Sequence, residues 1–262
     1  MADGGLLRRD SVARRVDREM FVLLGGPAAL LMQVAHPLVA AGVDQHSDFR
    51  SDPVGRLVRT LDTTLAVVFG DERAARAAIR RLERTHARVQ GVSRQGRQYS
   101  AHDPALMLWV QTTLVLTSLR LYEMVLGPLP PAEREAYWSE TGSVARLLGL
   151  PEDHIPPTLA ELERYEGTML ARELAADETV RAVGRAVLRP LRWMPEVLYW
   201  PSDALTSALL PPRLRATFGL RYGTAERLFF EAVVVALRAL RRALPEMLTV
   251  VPQARRYDRA RT

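Results

Sequence analysis

The chain has 262 residues, of which 48% are hydrophobic and 25% are charged. This length and composition are typical of a globular protein with a sizeable buried core. The sequence contains no cysteine. A disulfide scaffold, an iron–sulfur cluster, a thiolate metal site and a cysteine nucleophile are therefore excluded, so any metal must be held by His, Asp, Glu or Tyr.

The charge pattern does not indicate a nucleic-acid partner. The net charge is +6, but all 36 basic residues are Arg, and 30 acidic residues are interspersed among them. A nucleic-acid-binding surface typically shows a block or stripe of basic residues, and no run of five like charges occurs in this sequence. We therefore expect no nucleic acid among the partners.

Neither a targeting segment nor a membrane-spanning helix is predicted. The first ten residues contain no apolar segment, and the most apolar stretch, 20–35, is interrupted by Gly25, Gly26 and Pro27. A spanning helix needs roughly 20 predominantly apolar residues in succession. We expect a cytoplasmic protein without a transmembrane segment.

Helical periodicity dominates the sequence and predicts an all-α fold, because apolar residues recur at spacings of three and four and strand-like alternation is missing. Ser11, Asp71 and Asp103 are predicted to begin helices, and a turn-rich segment is predicted at 42–52. The predicted helices span 11–24, 27–36, 53–69, 71–89, 104–125, 131–148, 158–175, 178–188, 195–209 with a break around Trp200-Pro201, 211–218 and 224–244. We expect a single compact domain of about ten helices at 11–250, with tails at 1–10 and 251–262.

His86 is the most informative of the five histidines. It belongs to a stripe with helical spacings of four, three, four and three, which predicts that it points into the core. The members of the stripe are Ala75, Ile79, Leu82, His86 and Val89. One interpretation is a core histidine bonded to a neighbouring carbonyl, and the other is a neutral imidazole that ligates a metal. A di-iron site would need a second Glu-x-x-His unit, and only Glu83 and His86 form one.

Two further histidines lie ten residues apart. His36 follows an apolar helix, and His46 is predicted to lie in a loop. Both are candidate functional groups near a pocket. Alternatively, His36 is a helix C-terminal residue stabilised by the helix dipole, and His46 is a solvated turn residue.

Arg56, Arg59 and Thr60 lie near the start of the helix predicted at 53–69. Arg56 and Arg59 are three residues apart, so they share a face and could together bind a carboxylate. The alternative is a solvated basic face paired with Asp52 and Asp62.

The helix predicted at 224–244 carries apolar residues against several arginines. Such a pattern is compatible with a helix that lies on a membrane. We interpret it as a surface helix. The apolar members are Leu228, Val235 and Leu240, and the basic members are Arg227, Arg238, Arg241 and Arg242.

Several motifs, in order, resemble one oxygenase family over most of the chain. They include the run 25–43, His46-Ser47, Asp52-Pro53, Arg56-Leu57, Arg59-Thr60, Phe69-Gly70, His86-Ala87-Arg88-Val89-Gln90-Gly91, Tyr99-Ser100-Ala101, Leu108-Trp109-Val110 and Phe218-Gly219-Leu220. The family joins the fungal MpaB-type enzymes to the latex-clearing rubber oxygenases.

The resemblance implies an all-helical domain with a buried pocket for haem b. It also implies an O2-dependent oxidation or cleavage of a carbon–carbon double bond in a lipophilic, isoprenoid-like substrate. In the rubber oxygenases the proximal haem ligand lies in a His-x-x-Val helical motif, which His86 and Val89 match.

Other positions that match the family are expected to line the same pocket. We expect Arg56 and Arg59 to bind the cofactor and His86 to ligate its iron. His36, His46 and Thr60 are expected to take part in catalysis.

Gln111 marks a departure from the family pattern, because many members carry a histidine after Leu-Trp-Val. Leu108, Gln111 and Val115 share a helical stripe, whereas Trp109 lies on another face. We predict a buried amide in the active-site region, and a core glutamine without a part in the chemistry is the alternative.

The residues thus favour a haem-dependent oxygenase with O2 and a lipophilic small molecule as partners. One alternative is a non-enzymatic haem-binding or lipid-binding helical protein, which would store a ligand in the same pocket. A helical interaction protein without a cofactor is a third. A Soret band would separate the first two hypotheses from the third. Substrate-dependent O2 consumption would separate the oxygenase from the non-enzymatic binding protein.

Overall fold

The computed structural model confirms the all-α prediction. It describes residues 5–46, 53–172, 174, 176–191 and 193–259, with the side chains at 53, 54, 56–58 and 257–259 outside the description. The helices are α1 (Val12–Asp17), α2 (Gly26–Val34), α3 (Pro37–His46), α4 (Pro53–Phe69), α5 (Glu72–His86), α6 (Pro104–Leu126), α7 (Pro131–Leu147), α8 (Leu159–Arg172), α9 (Glu178–Leu188), α10 (Trp200–Leu209), α11 (Pro212–Phe218), α12 (Thr224–Ala243), α13 (Glu246–Thr249) and α14 (Pro252–Arg259). Short 3-10 helices occur at Met20–Gly25, Glu152–His154 and Glu196–Tyr199.

The predicted helix starts are confirmed by their capping hydrogen bonds. The Ser11 hydroxyl accepts from the N–H of Arg14 at 3.3 Å. The carboxylates of Asp71 and Asp103 accept from N–H groups in the first turns of α5 and α6, at 2.7 and 2.9 Å. These side chains satisfy backbone donors that a helix leaves unpaired at its start.

The long helix α6 lies at the centre of the fold, between α2, α7, α8 and α12. The buried Trp109 ring on α6 donates a hydrogen bond from Nε1 to the Met32 carbonyl of α2 at 3.1 Å. By length and hydropathy α6 could also cross a bilayer, but 61% of its most apolar window is buried inside the protein. The segments Met20–Val34 and Pro37–His46 pass the same test only together, and they are bent by 105°.

The prediction of one continuous helix over 11–24 is wrong. α1 ends at Asp17, and Glu19 adopts extended backbone angles before the 3-10 helix Met20–Gly25 begins. Glu19 forms an isolated antiparallel bridge with Val250, and its buried carboxylate binds Arg241. This long-range pairing breaks the helical periodicity.

Three local expectations around the candidate site also differ from the structure. α3 continues to His46, so 42–46 is helical rather than turn, while 47–52 lies outside the described residues. α5 ends at His86 and not at Val89. The strands β1 (Gln90–Val92) and β2 (Gln98–Ser100) then form an antiparallel hairpin, whose turn contains Gly96 with a φ of 76°.

The segments expected as tails contribute to the core. Leu7, Val251 and Ala254 are buried in the main hydrophobic cluster, which α1 and α4 to α8 line. A second cluster joins α2, α9 and α11 around Trp109. A third, small cluster joins α3, β2 and α6 beside the end of α5.

Candidate functional site

The stripe that contains His86 faces inward, and its burial falls toward the end of α5. Ala75 and Ile79 are buried, whereas Leu82, His86 and Val89 are half-buried. The prediction that His86 points into the core is therefore corrected, since the residue is half-buried. Because α5 ends at His86, the imidazole lies at the rim of the core rather than within it.

The His86 ring is held in its neutral form. Burial, together with the nearby His102, lowers the pKa of His86 below its usual value. The two rings meet edge to face, with centroids 6.2 Å apart and planes inclined at 80°. Within the described part of the chain, the contacts of His86 include no hydrogen bond from either ring nitrogen. A neutral, accessible imidazole of this kind is competent to ligate a metal.

The start of α4 lies beside the end of α5. The two helices are joined by a short connection at Gly70 and Asp71, and Arg81 of α5 reaches the Thr63 hydroxyl of α4 at 3.4 Å. Continuing this antiparallel register brings Arg59 and Thr60 level with the last turn of α5. Both side chains are exposed.

Arg56 lies one turn before Thr60 on α4, and its side chain is outside the described residues. Helical spacing places Arg56 and Arg59 on a shared face at the His86 end of the α4–α5 pair. The joint binding of an anionic group by these two arginines stays a prediction.

An open groove of about 350 Å3 runs beside the last turn of α5, although His86 itself does not line it. His102 forms part of its wall, so this histidine joins the candidate site although its sequence context gave no reason to single it out. The other lining residues are Glu83, Arg84, Ala87, Leu148 and Gly149.

His46, at the end of α3, is hydrogen-bonded to the hairpin. The Tyr99 hydroxyl donates to Gln45 Oε1 at 2.7 Å, so its oxygen is an acceptor toward His46 Nε2 at 3.0 Å. The Gln90 carbonyl lies 3.0 Å from the same nitrogen and is also an acceptor. His46 Nε2 therefore carries a proton.

A close contact between α3 and the chain after α5 links the His46 region to the His86 region. A Cβ at Gly42 would lie 3.3 Å from the Val89 side chain and 3.5 Å from the Tyr99 ring, so the absence of a side chain permits this approach. Tyr99 packs with Leu38 in the small third cluster, against which Val89 lies. This small cluster thus contacts Tyr99, which is bonded to His46, and Val89, which follows His86 by three residues.

His36 lies at the other end of α3, about 15 Å from His46 along the helix, since each residue adds about 1.5 Å. It is buried, and its Nδ1 accepts from the N–H of Leu38 at 3.3 Å. In this arrangement His36 caps α3 at the bend after α2, rather than ending the preceding helix. Its predicted part in catalysis stays a prediction.

Gln111 is half-buried on the side of α6 that faces α7. Its Nε2 donates to the Thr141 carbonyl at 3.3 Å, whereas Trp109 points to α2. The expected hydrogen-bonding partner therefore comes from α7. The described contacts do not join Gln111 to His86 or His36.

The residues that sequence reasoning missed are His102 and Tyr99. Both depend on the β1–β2 hairpin, which turns the chain back after α5. The only local signal was Gly96 between two short polar segments. Among the described residues, no group of three or more His, Asp or Glu comes together as a metal site.

Fold and site together define an all-α protein with a neutral, accessible histidine at the end of one helix and arginines on its neighbour. The family model described as "ER-bound oxygenase mpaB/B'/Rubber oxygenase, catalytic domain" matches residues 13–239. The chain belongs to this family of oxygenase catalytic domains. Searches of curated proteins and of solved structures found no match.

Proposed function

We propose that the protein is a haem b-dependent oxygenase that oxidises or cleaves a carbon–carbon double bond in a lipophilic substrate. The observation that carries this proposal is the His86 imidazole, which is half-buried, neutral and without a hydrogen bond among the described residues. Membership of the oxygenase family supports the same chemistry.

The donor set around His86 fits haem. A single imidazole suits a haem iron because the porphyrin brings four nitrogen ligands of its own. Haem also carries two propionates, which need cationic partners. Arg59, and Arg56 on the same helical face, are the residues that would bind them. When bound, haem would supply the activation of O2.

His46 and Tyr99 are the groups best prepared to hold a proton near this site. His46 Nε2 carries a proton and shares it with the Gln90 carbonyl and the Tyr99 oxygen. Burial raises the pKa of Tyr99, with the Asp44 charge adding to the effect, so its hydroxyl stays protonated at neutral pH. We assign to His46 and Tyr99 the role of supplying hydrogen bonds during catalysis. Thr60 presents a further hydroxyl from α4.

Apolar side chains between these polar groups favour a lipophilic substrate. Leu38, Leu106 and Val89 pack around Tyr99 in the third cluster. Rubber, which the family description names as the substrate of some members, is an apolar polymer with repeated double bonds. By analogy, we propose an unsaturated, isoprenoid-like substrate for this chain.

The test is to titrate the purified protein with haem and then measure O2 consumption. We expect a saturable Soret band at one haem per chain. O2 consumption should rise when an unsaturated isoprenoid such as squalene is added, and its saturated analogue squalane is the control. Haem binding without substrate-dependent O2 consumption would support a haem carrier instead, and no haem binding would contradict the proposal.

A further inference from the structure

The segment between α9 and α10 displays three large apolar side chains to solvent. Trp193 is 79% exposed, Val197 is 75% exposed and Leu198 is 60% exposed. Leu228 of α12 is 57% exposed. It lies close by in the fold, since Trp200, two residues after Leu198, stacks against Phe229 at 4.9 Å. We call Trp193, Val197, Leu198 and Leu228 the apolar tip.

A polar network fixes the backbone beneath the apolar tip. Arg189 donates to both carboxylate oxygens of Asp203, at 2.9 and 2.8 Å, and to Glu196 at 2.6 Å. Its guanidinium lies 4.7 Å from the centre of the Tyr199 ring. The Tyr199 hydroxyl in turn bonds to the backbone N–H and C=O of Leu191, at 3.0 and 2.8 Å.

This network holds the backbone that carries Val197 and Leu198. Bidentate arginine–carboxylate pairs are among the strongest side-chain interactions in proteins. Arg189 binds carboxylates on both sides of Val197 and Leu198, so the short 3-10 helix between them is held with these residues facing water. The exposure is built into the fold, and exposed apolar patches of this kind mark interaction surfaces.

The apolar surface continues along α12, where two of the four arginines bind groups of the protein itself. Arg238 donates to the Val125 carbonyl at 3.0 Å, and Arg241 binds the buried Glu19 carboxylate at 2.8 Å. Val235, on a different face of α12 from Arg241, is 62% exposed. α12 thus presents Leu228 and Val235 to solvent among exposed charged residues, which include Glu231 and Arg242.

The charges around the apolar tip favour an anionic partner. Residues 189–228 contain six arginines and three acidic residues. All three carboxylates are engaged within the protein, because Arg189 binds two of them and Glu226 accepts from the Gly223 N–H at 2.8 Å. Arg221 and Arg227 are exposed beside the tip. Guanidinium groups bind phosphate well, and tryptophan favours the boundary between lipid and water.

We propose that the apolar tip docks the protein on the surface of a membrane that carries anionic lipid headgroups. Trp193, Val197, Leu198 and Leu228 enter the boundary between headgroups and acyl chains, while Arg221 and Arg227 bind phosphates. The docking does not depend on haem or on catalysis, so it can be tested independently of the proposed function.

Vesicle flotation of the full chain tests this proposal. The probes are vesicles of phosphatidylcholine alone and of phosphatidylcholine mixed with phosphatidylglycerol. We expect the protein to float with the anionic vesicles at low salt and to be released by high salt. The triple variant Trp193→Ser/Val197→Ser/Leu198→Ser should bind about tenfold or more weakly, since it removes the inserted apolar surface. Far-UV circular dichroism confirms that it stays folded.

A matched pair of single variants separates docking from general surface hydrophobicity. Val197→Ser should weaken vesicle binding. Val92→Ser removes a valine of similar exposure, 53%, from β1 and should not. Tryptophan emission gives a second readout, because Trp109 and Trp138 are buried and Trp200 is 38% exposed against 79% for Trp193; most of a blue shift on adding vesicles should therefore be lost in Trp193→Phe.

Three outcomes would overturn the proposal. They are no flotation with either kind of vesicle, equal flotation of the native protein and the triple variant, and a loss of self-association in the triple variant without vesicle binding. The last would show that the apolar tip contacts a second copy of the chain instead.

Discussion

Polar groups at the junction of the end of α1 with α7 and α12 differ sharply from those at the end of α5. At the junction the Tyr137 hydroxyl donates to Asp17 at 3.1 Å, and Arg241 binds both oxygens of Glu19. At the end of α5 the His86 ring meets His102 edge to face and makes no hydrogen bond within the described residues. The first region uses its polar groups to hold the fold together, and the second keeps a polar group accessible.

This difference separates stabilising residues from candidate functional ones more clearly than burial alone. A buried polar group without a partner costs folding free energy, so the junction is stable only with its pairs complete. A half-buried imidazole at a rim is partly hydrated and costs less. The end of α5 can therefore offer His86 to a ligand without a large loss of stability.

Breaking the Glu19–Arg241 pair should destabilise the protein at any one pH. Glu19 is only 3% exposed, and Glu19→Ala removes both oxygens that Arg241 binds and leaves it only the more distant Glu246 carboxylate at 3.9 Å. We expect a loss of about 3 kcal/mol in the free energy of unfolding, measured by urea denaturation. The control Asp10→Ala removes an exposed partner of Arg8 and should leave stability nearly unchanged. Equal losses of stability in Glu19→Ala and Asp10→Ala would contradict the difference between the buried and the exposed pair.

Asp17 should make stability depend on pH. Burial raises the pKa of Asp17 to about 7 from its ordinary 3.8, against the opposing hydrogen bond from Tyr137 and with a further contribution from Glu140. Between these values the folded state holds a proton that the unfolded state releases. Stability is therefore expected to fall as pH rises from about 4 to about 7, by up to about 1.4 kcal/mol per pH unit.

The variant Asp17→Asn cannot ionise and should flatten this slope. Urea denaturation of the native protein and the variant at several pH values measures the difference. An unchanged slope would show that Asp17 is not the group responsible.

The arginines of α4 should contribute to the affinity for haem and little to stability. We expect the double variant Arg56→Gln/Arg59→Gln to bind haem about tenfold more weakly, because charge-assisted bonds to propionates are lost. Arg76→Gln on α5, which removes a partner of Glu72, is the control and should bind normally. Unchanged haem affinity in the double variant would place both arginines in the solvated surface.

Gln111 should show the smallest effect. Its hydrogen bond to the Thr141 carbonyl belongs to the packing of α6 against α7, so Gln111→Ala is expected to cost about 1 kcal/mol of stability. The spectrum of the haem-bound protein should stay the same. A shifted Soret band in Gln111→Ala or Gln111→His would instead assign the residue to the active site.

The sequence predicted the fold class and most helices because local signals determined them. Caps such as Asp71 and Asp103 and the long periodic stripes of α5 and α6 lie within single helices. The predictions failed where distant segments decide the conformation. The break after α1 depends on Val250 and Arg241, more than 200 residues away from Glu19.

The candidate site was predictable in part for the same reason. His86 stood out because its stripe lies within one helix. His102 and Tyr99 were missed because they reach the site through a hairpin of three-residue strands, which carries little periodic signal. The capping role of His36 depends on the bend between α2 and α3, which the sequence indicated only through Pro37.

Haem retention in His86→Ala tests the central claim most directly. The variant and the control His154→Ala, which alters an exposed histidine paired with Asp153, are each mixed with equimolar haem, desalted and examined by visible absorption. We expect His86→Ala to stay helical and to lose its Soret band, while His154→Ala keeps it. If His86→Ala retains one haem per chain with an unchanged spectrum, His86 is not the iron ligand.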